Sequence, residues 1–99
     1  MGTIALEAEL HGDLNADEVR SVVGAALRRE TELARARRDQ FARDCGAFEA
    51  RYRMQSDEFM RRFEAGELGD AADYFDWFAA KRGLDLWERK LGILSAVSV

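Results

Sequence analysis

Proline is absent from this sequence, and cysteine and histidine occur once each. Without proline no position is barred from a helix by ring geometry, so every break must come from Gly, Ser, Asp or Asn. The single cysteine, Cys45, excludes an internal disulfide and fits a reducing compartment, and the cytoplasm is the expected location. The single histidine, His11, falls in a predicted turn. It leaves no Ser-His-Asp arrangement and no Glu-x-x-His pair for a carboxylate-bridged dimetal site. No apolar run approaches the roughly 18 residues of a membrane span, and no basic-then-apolar leader is visible at the N-terminus. No Gly-rich loop has phosphate-binding spacing.

What remains is 47% hydrophobic and 34% charged, a balance that excludes a solvating acidic tail. A chain of 99 residues reads as one domain, 1–99. At that size only a modest fraction of the surface is buried, and oligomers or partners often supply the rest. The net charge of −4 is unevenly spread. Residues 1–18 carry acids and no base, residues 20–43 are rich in Arg, and residues 57–76 are acidic again. On folding back, or on antiparallel pairing with a copy, blocks of opposite sign can meet.

Residues 3–10 alternate, with Ile4, Leu6, Ala8 and Leu10 on one side, which predicts a half-buried strand; a helical N-terminus is the competing reading, because Ala, Leu and Glu are good helix formers. A lone strand cannot satisfy its own backbone, and the chain holds no convincing second strand, so its partner strand belongs to another molecule. Asn15 with Glu18 has capping-box spacing and opens a long helix, 15–54. Leu27, Thr31, Ala34, Arg38, Phe41, Cys45, Phe48 and Tyr52 step by four and three along it, a heptad seam. Charge pairs are expected on its outer surface, Arg28 with Glu32, Asp39 with Arg43 and Glu49 with Arg53. Ser56 is the expected cap of a short helix, 57–65, with Phe59, Met60 and Phe63 on its apolar side and Gly66 as its stop. Asp70 is the expected cap of the last helix, 70–96, with Asp73 in capping-box position. In that helix Trp77, Ala80, Leu84, Trp87, Leu91 and Leu94 form a second seam. Short connections favour antiparallel neighbours. The expected fold is therefore mainly α, an N-terminal strand followed by an antiparallel helical hairpin with coiled-coil packing. The arms are unequal, so Val19 to Leu27 overhang as an apolar helix end, which predicts association.

Chemistry-bearing residues have structural explanations. Cys45 lies on the apolar seam and lacks an orienting histidine, so it reads as a small buried hydrophobe. Glu67, Asp70, Asp73 and Asp76 gather near the turn, but no loop has calcium-binding spacing, and capping with the helix dipole explains them. No metal or cofactor is expected. The arginines of 28–43 do not fall on one stripe and are interrupted by acids, so direct nucleic-acid binding is not expected. Tyr74, Phe75, Trp77, Phe78 and Trp87 surround more than one face of the last helix. They predict core plus an interface, with Tyr74 and Phe78 on the partner side.

Phe48-Glu49-Ala50-Arg51-Tyr52, Ser56-Asp57-Glu58-Phe59, Gly66-Glu67-Leu68-Gly69-Asp70 and Asp73-Tyr74-Phe75-Asp76-Trp77 together form a recognisable pattern. It resembles a family of short prokaryotic coiled-coil proteins regarded as antitoxins, encoded beside small toxin-like proteins such as the TumE type. The resemblance covers residues 48–77, and it departs from the family at Arg53, where members often carry Gly. It implies a non-enzymatic protein that occludes a cognate toxin as one half of a type II toxin-antitoxin pair. The expected partner or oligomer surface comprises Ile4, Leu6, Leu10, Val19, Val23, Leu27, Tyr74 and Phe78. Phe41, Phe48, Trp77, Leu84, Trp87 and Leu91 are expected inside. The alternative reading is a self-assembling coiled-coil protein with no toxin, and homo-oligomers are expected in either case.

Overall fold

The computed structural model describes residues 14–97. The strand expected at 3–10, with Ile4, Leu6 and Leu10, lies outside the described residues, as does His11. Three helices and no strand make up the described chain: α1 (Ala16–Tyr52), α2 (Ser56–Glu64) and α3 (Ala72–Ala96).

Each boundary has a local cause. The Asn15 side chain accepts from the amides of Asp17 at 2.7 Å and Glu18 at 3.3 Å, which satisfies two free donors of the first turn. α1 stops at Tyr52 because Arg53 enters the left-handed region, φ 53° and ψ 48°. Its amide and that of Met54 both donate to the Glu49 carbonyl. The position where the resembling family often has Gly is thus the stop itself, two residues earlier than expected. α2 ends in a Schellman motif. Gly66, φ 74°, donates to Phe63 O at 3.1 Å and Glu67 to Arg62 O at 2.9 Å.

Two expected caps are corrected. Gln55, not Ser56, precedes α2, and Ser56 is its first helical residue. Ala71, not Asp70, precedes α3, and no side chain caps that end. Ser56 and Asp73, the latter expected in the capping box of Asp70, are instead committed to neighbouring helices. The expected outer charge pairs are corrected too. Asp39 binds Arg38 at 2.7 Å, Arg43 reaches Gln40 at 3.0 Å, and the Glu49 carboxylate turns inward to the α2 amide of Ser56.

α1 and α3 pack antiparallel. Tyr52 meets Tyr74, Phe48 meets Trp77, Phe41 meets Gly83 and Arg37 covers Trp87, so the partner number rises as the α1 number falls. Both heptad seams face inward; all of their residues are buried or half-buried. Of the two polar seam residues, Thr31 folds its hydroxyl back to Leu27 O at 2.7 Å, and Arg38 leans out to Asp39. The helices lie close at Gly83, where an added Cβ would sit 2.6 Å from the Phe41 ring. α2 closes the turn end. Its Phe59 is fully buried and stacks on fully buried Trp77 with ring centroids 3.9 Å apart. The result is a rod of 62 × 21 × 21 Å.

Candidate protein-interaction surface

The residues that carry the family resemblance converge at the closed end of the hairpin. The Trp77 indole N–H donates to Ser56 Oγ at 2.9 Å, and the ring is walled by Phe48, Tyr52 and Phe59. The Ser56 amide, a free donor at the start of α2, is taken by Glu49 Oε2 at 3.0 Å. Tyr52 Oη donates to Asp73 Oδ2 at 2.7 Å, and Arg51 reaches the same oxygen at 2.6 Å. These two donors hold the Asp73 carboxyl below the ordinary carboxylate range, and the shared carboxylate raises Tyr52. Polar contacts thus join every pair of helices: Glu49 ties α1 to α2, Ser56 and the Asp57–Lys81 pair tie α2 to α3, and Asp73 ties α3 to α1. The motif is a three-helix clasp.

Its chemistry is otherwise quiet. Cys45 is buried, and burial pushes its thiol above the usual range against the opposing pull of the Ser56 hydroxyl. An open groove of about 350 Å³ lies between Asp44, Ala47, Phe48, Arg51, Asp73 and Asp76. Among the described residues no three His, Cys, Asp or Glu side chains come together as metal ligands. No helix of the described chain is long and apolar enough to cross a membrane.

The other end is open. The pairing of Phe41 with Gly83 and Phe48 with Trp77 brings Ala96, the last residue of α3, level with about Arg28. α1 is about 55 Å long and α3 about 37 Å, so residues 16–27 run on for about three turns. Leu14, Val19, Val22 and Val23 form an open apolar patch there, with Glu18 at its edge. Val22 is 70% exposed, a large value for a β-branched apolar side chain on a rigid helix.

The expected contact residues divide accordingly. Val19 and Val23 belong to this patch, with Leu27, half-buried, one turn farther along the arm. Tyr74 and Phe78 lie apart from them, half-buried near the closed end. Tyr74 packs on Tyr52 and Phe59, and Phe78 on Phe63, because α2 folds over the face of α3 that a simple two-helix hairpin leaves bare. Val22 and Leu14 belong to the surface and are absent from the expected contact set. A helical wheel of α1 past the reach of α3 carries the signal for Val22. The exposed aromatic of α3 is Phe75, whose edge rests on Phe63. Compared with family models, with curated proteins and with solved structures, the chain matches none of them.

Proposed function

We propose that the protein is a non-enzymatic binding module of the antitoxin type, which uses the open arm of α1 to cover a cognate toxin. The observation that carries this reading is the open apolar patch of Leu14, Val19, Val22 and Val23 on a helix end that α3 does not reach. A helix face presenting apolar side chains at such spacing is a common docking element for a grooved partner. The aromatic-acidic motif of residues 48–77 supports the same reading indirectly. Glu49, Tyr52, Ser56, Asp73 and Trp77 are spent on the clasp, which forms the base from which the arm projects. A chain with net charge −4 also suits a basic, RNA-binding target, whose active surface the arm would occlude in the cytoplasm.

Co-expression with the product of the adjacent open reading frame tests the proposal. The expected result is a co-purifying complex and relief of growth arrest, both lost in Val22→Asp while the helical circular-dichroism signal is kept. No complex and no relief with the unmodified chain would refute it.

A further inference from the structure

A second apolar stripe lies on a face of α3 outside the α1–α3 seam. Phe75, Leu86 and Ile93 are 55%, 51% and 55% exposed. They are the large apolar members of a four-three series, Phe75, Ala79, Arg82, Leu86, Arg89 and Ile93, that runs straight down the outer face of α3 for about 27 Å. A single helix thus carries two heptad seams, one used by α1 and one mostly exposed, with Phe75 edge-on to Phe63 at the turn end and Ile93 near Glu30 of α1 at the other.

We infer that this outer seam pairs antiparallel with the same seam of a second copy, giving a two-fold symmetric dimer. The order of residues decides the direction. With Phe75, Arg82 and Arg89 in one heptad position and Ala79, Leu86 and Ile93 in the other, antiparallel packing sets each member of one class against one of the other. Every layer then falls in a single register: Phe75 on the second copy's Ile93, Ala79 on its Arg89, Arg82 on its Leu86. No arginine meets an arginine, and each guanidinium lays its stem over an apolar side chain with its charge at the rim. Parallel packing would place Arg82 on Arg82 and Arg89 on Arg89 in the seam.

The flanking charges agree. In the antiparallel register exposed Asp76 lies opposite the second copy's Lys90, twice by symmetry. The like-charge approach, Asp85 near its counterpart at the axis, is countered by Lys81, already 2.8 Å from Asp85, and by Arg82 of both copies. The inference concerns a face separate from the open arm and does not rest on the toxin reading. If both hold, the two arms project from opposite ends of the dimer and present two partner sites.

Sedimentation equilibrium at micromolar concentration tests it. The expected species is twice 11.2 kDa. Leu86→Asp is expected to sediment as a monomer with unchanged helix content, since the side chain is on the outer face. Asp76→Lys and Lys90→Asp each weaken the dimer, by up to about thirtyfold from the loss of two surface pairs, and the double exchange restores it. Val22→Asp leaves the dimer intact. The inference is overturned by a monomeric unmodified chain, by a Leu86→Asp chain that still dimerises, by a double exchange that fails to recover affinity, or by a dimer that Val22→Asp dissolves.

Discussion

Ser56 offers a sharp test of the clasp, because two physical roles for it predict different couplings. As the acceptor of the buried Trp77 indole N–H it satisfies a donor that has no access to water. As a helix cap it would instead accept from amides of α2, which it does not do. Ser56→Ala leaves the indole N–H unpaired in the core, at a cost of about 1–3 kcal/mol. Trp77→Phe removes the donor together with part of the ring, at a cost on the order of 2 kcal/mol. In the Trp77→Phe background no N–H is left to orphan, so Ser56→Ala should then cost only about 0.5 kcal/mol. The remainder appears as a coupling of about 0.5–2.5 kcal/mol between the two sites. Urea denaturation followed by far-ultraviolet circular dichroism resolves this, since a domain of this class has only about 5–15 kcal/mol of stability in total. Equal losses from Ser56→Ala in both backgrounds would show that the serine acts locally as a cap, and the account of the clasp would be wrong.

Other consequences are simpler. Arg53→Gly should raise the melting temperature by a few degrees. Relief of a left-handed arginine returns about 1–2 kcal/mol, partly offset by the greater backbone freedom of glycine in the unfolded chain. Gly83→Ala should destabilise by about 1–3 kcal/mol because its Cβ meets the Phe41 ring, and Phe41→Leu in the same chain should recover part of the loss. Asp73 is held below its ordinary value of 3.8. Its contribution is therefore present above that pH and is lost as the pH falls through the depressed value. Asp73→Asn should accordingly flatten the acid limb of the stability profile below pH 3.8 relative to the unmodified chain. Cys45 should resist thiol reagents in the native protein and react at the rate of an exposed thiol only in denaturant.

The long helix, the turn at Gly66 and the two inward seams are legible from spacing alone. A heptad pattern needs nothing beyond the 3.6-residue period to declare which side chains share a face, and Gly66 supplies the left-handed residue that a helix stop requires. The small roles of single polar residues are less legible. Ser56 and Asp73 stand where caps stand, and capping statistics cannot tell whether a hydroxyl or carboxylate will instead be claimed from across the fold. Arg53 obscures its own helix stop, since nothing about an arginine advertises a positive φ.

The interaction surface divides the same way. That α1 outruns α3 follows from their lengths, and an apolar stretch at residues 19–27 follows from the residues. Only the tertiary structure decides which of these side chains stay uncovered, because exposure depends on the register at which α3 ends and on where α2 lies. That is why Tyr74 and Phe78 are half-buried rather than open: α2 crosses part of their face. It is also why Phe75, Leu86 and Ile93, written in the sequence as a plain four-three series, become a surface only once Trp77, Leu84 and Leu91 have been assigned to α1. A helix period tells which residues lie together, and packing against a neighbour determines which of its faces water sees.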